Sequence, residues 1–221
     1  MGRQILQDIY DRLYRRFGPQ HWWPGQTTFE IIVGAILTQN TNWGNVEKAI
    51  NNLKRAGLLT PEKLHTLDIA ELADLIRPAG YYNIKAARLK SFLNRLFEKF
   101  DGNLDRLSNL STDQLREELL SIKGVGPETA DSISLYAFNK PAFTVDAYTA
   151  RILGRHRLTE PGAGYEDIRM LFESALPQEV QLYNEYHALL VHLGKEYCKT
   201  KPLCKGCPLE DLPHDVNPEV Y

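Results

Sequence analysis

Apolar residues in this chain recur every three or four positions, which is the spacing of helices that bury one face. The first segment shows the pattern at Ile5, Ile9, Leu13 and Phe17. Comparable stripes run through residues 29–37, 45–55, 69–76, 84–100, 112–120, 165–176 and 179–193. No two segments alternate polar and apolar residues as paired strands do. The sequence therefore predicts an all-α protein.

Three of these segments begin with a residue pair typical of a helix start. A Thr, Asp or Ser stands three positions before a Glu or Gln at Thr27–Glu30, Asp68–Glu71 and Ser111–Gln114. In such a capping box each side chain accepts a hydrogen bond from the other residue's backbone amide. The spacing predicts helices that begin at these three places.

The stripe over residues 84–100 has a basic opposite face, made of Lys85, Arg88, Lys90, Arg95 and Lys99. Such a face is solvated in most proteins. We expect some of these side chains to be available for phosphate groups of a nucleic acid.

The composition is that of an ordinary globular protein. With 221 residues, 43% of them hydrophobic, the chain forms one large domain or two small ones. Its 26 basic and 28 acidic residues give a net charge of -2, so any nucleic-acid site must be a local basic patch. Because the N-terminal segment is charged, we expect that it is not a signal peptide, and no apolar run reaches the ~20 residues of a membrane span. We expect a cytoplasmic, nucleoid-associated protein without a membrane partner.

A glycine-rich turn, Ile122-Lys123-Gly124-Val125-Gly126, lies between two helical segments. Glycines allow a ligand to approach the backbone closely, and amides at such a turn and at the next helix start can hold a phosphate. A turn of this kind also occurs as a simple tight connection.

Asp146 follows twenty residues after Gly126, where an apolar stretch leads into another helical segment. An Asp at this place is most often an N-cap. It can also present an ionised carboxylate for chemistry, because the helix N-terminus favours negative charge.

Together, the glycine turn and Asp146 resemble the helix-hairpin-helix and Gly/Pro-Asp signature of the endonuclease III-like DNA glycosylases. The resemblance extends from Trp22 to Cys207. It implies a six-helix domain over residues 26–137 and a second helical domain made of residues 1–25 and 138–221. It also implies a cleft with the glycine turn and Asp146 on opposite walls and Trp22 and Trp23 at the crossing.

The resemblance implies a role for several residues in removing a base that is rotated out of duplex DNA. Asp146 would be the catalytic carboxylate, which stabilises the positive charge that develops on the sugar. Gln39 and Tyr81 would enter the base stack, although both also suit an ordinary loop. The residues that would hold a backbone phosphate are Lys123, Gly124, Val125 and Gly126.

Glu128 departs from the family pattern. Members that also cut the strand carry a lysine two residues after the second glycine, and its amine forms a Schiff base with the sugar. This chain reads Gly126-Pro127-Glu128. A carboxylate cannot form that imine, so we expect no lyase step.

The target base is indicated by the tryptophans. The segments Trp22-Trp23-Pro24 and Thr38 to Trp43 resemble the 3-methyladenine DNA glycosylase branch. An alkylated purine carries positive charge, which indole faces attract, and Glu128 would add an opposite charge. The pocket residues would be Trp22, Trp23, Trp43 and Glu128. Alternatively, Trp22 and Trp23 seal the domain junction and Trp43 belongs to a helix core.

All three cysteines lie in one C-terminal loop, as Cys198-x5-Cys204-x2-Cys207. The loop resembles the family's iron-sulfur loop, but the position of the fourth cysteine is Pro213, next to His214. A 4Fe-4S cluster usually has four thiolate ligands. The alternatives are a cluster completed by a ligand such as His214, a zinc site, or a loop that has lost its metal. Excision itself needs no cofactor.

We therefore predict a monofunctional DNA glycosylase that acts as a monomer on double-stranded DNA containing a damaged base. The enzyme alternatives are a bifunctional glycosylase and lyase on oxidised pyrimidines, or a mismatch thymine or uracil glycosylase. The non-enzyme alternative is a hairpin DNA-binding module.

Overall fold

The computed structural model describes residues 2–216, and within that range it contains helices and loops but no β-strand. The prediction of an all-α fold is confirmed. The chain divides into two compact units, one formed by residues 23–140 and the other by the segments on either side. None of the described helices is long and apolar enough to cross a membrane.

The α-helices, numbered in chain order, are α1 (Gly2–Phe17), α2 (Thr28–Thr38), α3 (Trp43–Arg55), α4 (Pro61–Thr66), α5 (Ile69–Leu75), α6 (Tyr82–Phe100), α7 (Leu104–Ser108), α8 (Thr112–Leu120), α9 (Pro127–Ser132), α10 (Ala147–Arg155), α11 (Tyr165–Ala175) and α12 (Val180–Glu196). A 3-10 helix, Arg77–Ala79, lies between α5 and α6, and a π-helix, Ile133–Ala137, follows α9.

Residues 23–140 contain α2 to α9, which is eight α-helices where six were expected. The difference comes from short helices that have caps of their own. Thr60 accepts a hydrogen bond from the Lys63 amide at the start of α4, and Asn103 accepts one from Asp105 at the start of α7. A side-chain cap satisfies amides that a helix start leaves without partners, so even one or two turns can be stable.

The three expected helix starts are present, but only the one at Ser111 has both bonds of a capping box, because at Thr27 and Asp68 only the cap side chain accepts. Ser111 and Gln114 form both bonds of a capping box. Thr27 accepts from the Glu30 amide, but the Glu30 carboxylate accepts from Gln26 and pairs with Lys54 Nζ at 2.7 Å. Because Glu30 is buried, it takes the stronger partner, a charged amine, rather than closing the box.

The basic side chains of α6 hydrogen-bond within the protein, whereas the sequence predicts that some of them are available for phosphates. Lys85 is buried, and its Nζ donates to the Ala79 carbonyl at 2.7 Å. Lys90 Nζ donates to the carbonyls of Leu64 and His65 at the end of α4. These lysines satisfy carbonyls that helix ends leave without intrahelical partners. Burial lowers the pKa of both amines.

Two further basic residues of α6, Arg95 and Lys99, donate to the buried carboxylate of Glu118 on α8. Burial raises the pKa of Glu118, but the two hydrogen bonds outweigh it, so the pKa lies below its ordinary value. The pairing ties α6 to the helix that precedes the glycine turn.

We expect Glu118→Gln to lower the free energy of unfolding at pH 7 by about 1–2 kcal/mol, because two charge-assisted hydrogen bonds with partly solvated partners are weakened. Since the folded pKa is depressed, the contribution is fully present above the unfolded pKa of about 4.3 and is lost as the pH falls through the folded value. Urea unfolding at several pH values measures it. Glu98→Gln, an exposed neighbour on α6, is the control. A deficit that persists at pH 2 would contradict this account.

The other unit joins the first helix to the last three. Leu6, Ile9 and Leu13 of α1 have no solvent exposure, and the Tyr186 hydroxyl on α12 donates to the Leu6 carbonyl at 2.8 Å. The apolar stripe at the start of the sequence is therefore buried against α12.

Candidate active site and DNA-facing segments

Asp146 is the N-cap of α10, and its two carboxylate oxygens have different surroundings. Oδ1 accepts hydrogen bonds from the Thr149 amide at 2.7 Å and from the Thr149 hydroxyl at 2.9 Å. These bonds fix the orientation of the carboxylate and occupy that oxygen. Oδ2 is left as the oxygen that can act on a ligand, and the side chain keeps 13% of its surface exposed.

His187 on α12 lies beside Oδ2. Its Nε2 is 3.7 Å from that oxygen, and the histidine is buried. Burial lowers the pKa of His187, and the charge of Asp146 offsets this only in part. His187 is therefore neutral at pH 7 and does not cancel the carboxylate charge. Thr149 follows from its spacing after Asp146, whereas nothing in the sequence links His187 to a residue 41 positions earlier.

The close approach of α10 and α12 holds this arrangement. A Cβ atom at Gly194 would lie 2.3 Å from Tyr148 Cδ1, so only glycine fits where the Tyr148 ring crosses α12. Arg151 stacks on the same ring, with 5.1 Å between its guanidinium carbon and the ring centroid. Tyr148 thus sets the distance between the helices that carry Asp146 and His187.

The glycine turn joins α8 to α9 and is held by backbone hydrogen bonds. The Ile122 amide donates to the Leu119 carbonyl, and the Val125 amide donates to the Ile122 carbonyl. The side chains of Ile122 and Val125 are buried. Gly124 has a φ of 93°, a conformation that strains any residue with a Cβ. The amides of Gly124 and Gly126 have no backbone acceptor among residues 2–216. They are available to an anion, and Lys123 is exposed next to them.

Arg88 of α6 packs against this turn. A Cβ at Gly124 would lie 2.4 Å from Arg88 Cγ, so the aliphatic part of the arginine fills the space that a side chain would need. The Arg88 guanidinium donates to the Gln39 Oε1 atom. In the sequence Arg88 is one of five similar basic residues, and no local pattern indicates this contact.

Gln39 follows α2 and connects to the same turn. Its Nε2 donates to the Gly124 carbonyl at 3.1 Å and to the Thr129 hydroxyl at 2.8 Å. Together with the bond from Arg88, these contacts fix which end of the amide faces the turn. Gln39 is thus engaged within the protein rather than extended into solvent.

Tyr81 has the features of a side chain presented to a ligand. It lies before α6 with 68% of its surface exposed and a φ of 46°. A left-handed backbone costs a residue with a Cβ about 1–2 kcal/mol. Residues held in such conformations are concentrated at functional sites.

Trp23 and Trp43 pack together. Their rings meet edge to face at a centroid distance of 5.1 Å, and Tyr136 of the π-helix lies 5.0 Å from Trp23. A Cβ at Gly34 would be 3.4 Å from Trp23 and 3.5 Å from Trp43, so the rings rest on the backbone of α2. Both tryptophans are only partly buried. They form an aromatic surface on residues 23–140.

The other two residues expected in the base pocket have different surroundings. Trp22 belongs to the unit of α1, where Lys195 Nζ lies 5.7 Å from the centroid of its ring. Glu128 is exposed in the first turn of α9, next to the buried Thr129.

The three cysteines are free thiols around one cavity, which His156 and His214 also line. Cys198 is buried, and Arg155 Nη1 donates to its sulfur at 3.2 Å. Burial, with the nearby Cys198 and Cys204 as smaller causes, raises the pKa of the Cys207 thiol. Among the residues that the structure describes, no three His, Cys, Asp or Glu side chains are arranged to hold a metal ion.

Sequence comparison with known proteins finds relatives that are named as DNA repair enzymes. A protein of Methanocaldococcus jannaschii, provisionally named a DNA repair glycosylase, is 47% identical over 95% of this chain and 96% of its own length. Endonuclease III of Sulfolobus acidocaldarius is 30% identical, covering 84% of this chain and 81% of that protein.

A solved structure of a DNA glycosylase is also similar to this chain. The crystal structure of H. pylori 3-methyladenine DNA glycosylase (MagIII) bound to 1,N6-ethenoadenine has a TM-score of 0.70 and 29% identity, over 88% of this chain and 97% of that one. The family model of the HhH-GPD superfamily base excision DNA repair proteins matches residues 33–178, which include the glycine turn and Asp146. The chain therefore belongs to the HhH-GPD superfamily of base excision DNA repair proteins.

Proposed function

We propose that this base excision DNA glycosylase is monofunctional, hydrolysing the N-glycosidic bond of an alkylated purine with Asp146 as its catalytic residue. The proposal is based on the different surroundings of the two oxygens of the Asp146 carboxylate. Thr149 holds Oδ1, and Oδ2 stays open beside a neutral histidine. A carboxylate fixed in this way needs no reorganisation when the reaction begins.

The charge of Oδ2 suits the step in which the bond to the base breaks. Positive charge then develops on the sugar, and a fixed negative charge lowers the energy of that state. The same oxygen can orient the attacking water. An alkylated purine is an activated leaving group, so this single carboxylate suffices without a strong general acid.

Glu128 supports hydrolysis without strand cleavage. The lyase route requires an amine that attacks the sugar and forms an imine. The side chain at this position of α9 is a carboxylate instead.

For DNA binding, we assign the glycine turn together with Gln39, which contacts it, and the exposed Tyr81. The amides of Gly124 and Gly126 would hold a backbone phosphate, with Val125 anchoring the turn and Lys123 adding charge. Tyr81 is exposed and ready to enter the stack. Insertion of Gln39 would first break its hydrogen bonds to the turn and Arg88, each worth about 1 kcal/mol.

The choice of an alkylated purine rests on the aromatic surface of Trp23 and Trp43. An indole face attracts a desolvated cation by roughly 2 kcal/mol, and base stacking adds about 1–3 kcal/mol. A neutral oxidised pyrimidine gains only the second contribution. The MagIII relative is a 3-methyladenine glycosylase by name, which agrees with this choice. Trp22 and Glu128 are further candidates for this pocket.

Duplex DNA with one class of lesion per substrate tests the proposal. We expect release of 3-methyladenine from methylated DNA, little action on thymine glycol or on uracil or thymine opposite guanine, and strand breaks only after alkali. Asp146→Asn protein purified in parallel controls for contaminating glycosylases.

Each alternative function predicts a different result in this assay. Breaks without alkali, with a protein-DNA adduct trapped by borohydride, would show a bifunctional enzyme. A preference for thymine glycol or mismatched bases would overturn the substrate class. DNA binding without excision of any base would leave only a hairpin DNA-binding module.

A further inference from the structure

Arg88 differs from the other four basic residues of α6 in what it binds. Two of the others donate to helix-end carbonyls, and two share the buried carboxylate of Glu118. Within residues 2–216, the guanidinium of Arg88 forms a single hydrogen bond, from Nη1 to Oε1 of Gln39. That acceptor is a neutral amide oxygen, so no carboxylate balances the charge. The remaining N–H donors of this half-buried guanidinium are available to an anion.

The side chain of Arg88 lies against the glycine turn. A Cβ at Gly124 would be 2.4 Å from Cγ, 3.1 Å from Cδ and 3.2 Å from Nε of Arg88. The arginine therefore runs along the exposed backbone of this glycine, and its charged end begins there. The Gly124 amide has no backbone acceptor among the described residues. A guanidinium and a backbone amide can both donate to the oxygens of one phosphate.

Gln39 is held by the same group of contacts. Its Nε2 donates to the Gly124 carbonyl at 3.1 Å and to the Thr129 hydroxyl at 2.8 Å, while its Oε1 accepts from Arg88. The bond from Arg88 is the strongest of the three, because its donor is charged. In the protein without DNA, Gln39 is thus kept at the turn, and Arg88 does most to keep it there.

A phosphate at the turn changes this balance. A guanidinium forms stronger hydrogen bonds with a charged phosphate than with a neutral amide oxygen, and it can form two in parallel. The phosphate therefore competes with Gln39 for Arg88. Once the charged bond is lost, Gln39 keeps only two neutral hydrogen bonds and can leave the turn at a lower cost.

We propose that Arg88 contacts the DNA phosphate bound at the glycine turn and that this contact releases Gln39 for entry into the base stack. Arg88 is then a positioning residue, since it acts on excision through Gln39 and not on the reacting atoms. Gln39 is released only where a phosphate occupies the turn, so its insertion is linked to contact with DNA. This role rests on the proposed assignment of the turn and Gln39 to DNA binding.

The contact with phosphate is tested on a duplex that carries a tetrahydrofuran analogue of an abasic site. Single phosphates around the analogue are replaced in turn by uncharged methylphosphonates, and fluorescence anisotropy gives the affinity. For the wild-type protein, we expect one position at which the replacement lowers the affinity about thirtyfold. Arg88→Met keeps the aliphatic part of the side chain but not its charge. In this variant the same replacement should lower the affinity only about threefold, and the salt slope for the unmodified duplex should be smaller by about 0.9.

Arg95→Met is the matched control, because Arg95 lies on the same helix but donates to Glu118. It should show the full effect of the phosphate replacement. Arg88→Lys keeps a charge at the turn and should retain most of that effect. Denaturant unfolding shows whether each variant is folded.

The release of Gln39 is tested with Gln39→Ala on the unmodified duplex and on the sensitive methylphosphonate duplex. In the wild-type background, binding to the unmodified duplex should weaken about fivefold, because the inserted side chain is lost. Binding to the methylphosphonate duplex should weaken less than about twofold, because Arg88 still holds Gln39 at the turn. In the Arg88→Met background the two effects should be equal, since the phosphate no longer controls Gln39.

Equal effects of the phosphate replacement on wild-type protein and Arg88→Met would overturn the contact. Equal effects of Gln39→Ala on both duplexes in the wild-type background would overturn the release. If no phosphate position is sensitive and Gly126→Ala binds DNA like the wild type, the proposed role of the turn fails as well. If Gly126→Ala weakens binding while Arg88→Met does not, the turn keeps its role and only that of Arg88 is lost.

Discussion

Asp146→Asn should slow base excision by at least about 10²–10³-fold, the range seen when a group that stabilises transition-state charge is removed. Asparagine keeps the shape of the side chain and is as good an N-cap as aspartate. Its Oδ1 still accepts from Thr149, so the fold should be unaffected. Single-turnover excision measures the loss, and binding to lesion-containing duplex should stay within about threefold, or ~0.6 kcal/mol.

Asp167→Asn is the matched control for this experiment. Asp167 accepts a hydrogen bond from the Gly164 amide at the start of α11, in the same unit as Asp146. It shares the local chemistry of a carboxylate at a helix start but has no role in our proposal. Excision should therefore continue at the wild-type rate. If Asp146→Asn also excises normally, another group performs the chemistry.

Gly124→Ala should destabilise the protein by about 2–4 kcal/mol, the sum of a strained left-handed backbone and a steric overlap. The added methyl group meets Arg88 Cγ at 2.4 Å and forces the arginine off the turn. Because Arg88 also bonds Gln39, the change should disturb both segments. Denaturant unfolding reports the stability, and fluorescence anisotropy reports the affinity for duplex DNA.

Gly126→Ala separates the effect on DNA affinity from the effect on stability. Nothing lies within 4 Å of a Cβ at this position, and its φ of -94° suits any residue. Stability should change by less than about 0.5 kcal/mol. DNA affinity should fall about tenfold, because the methyl group keeps a phosphate away from the amide and a charge-assisted bond of roughly 1.5 kcal/mol is lost. Unchanged affinity would remove the turn from the DNA interface.

The sequence predicts the helices well where periodicity and caps agree. Ile9 and Leu13 of the N-terminal stripe lie on the buried face of α1, and Ser111 caps α8 as its spacing predicts. Ends were less accurate: α3 begins at Trp43, two residues before the expected start, because Asn42 caps it. The local signal for this start is Asn42 itself, since asparagine is a favoured N-cap residue.

Long-range partners are harder to predict, because no local pattern encodes them. Five basic residues on one side of α6 look alike in the sequence. In the fold, two hold helix-end carbonyls, two hold Glu118, and Arg88 contacts Gln39. The same limit applied to His187, whose distance from Asp146 depends on how α10 and α12 pack. The place of Asp146 at a helix start could be predicted, whereas its environment could not.

The pairing of α1 with α12 has a consequence for the folding of the chain during synthesis. The Tyr186 hydroxyl and the Leu6 carbonyl are 180 residues apart. At translation rates of about 5–20 residues per second, the ribosome needs roughly 9–36 s to make the second partner after the first. Residues 23–140 are continuous and can fold in that interval. The apolar stripe of α1 stays exposed meanwhile, so a chaperone that shields the nascent N-terminus should raise the yield of native protein.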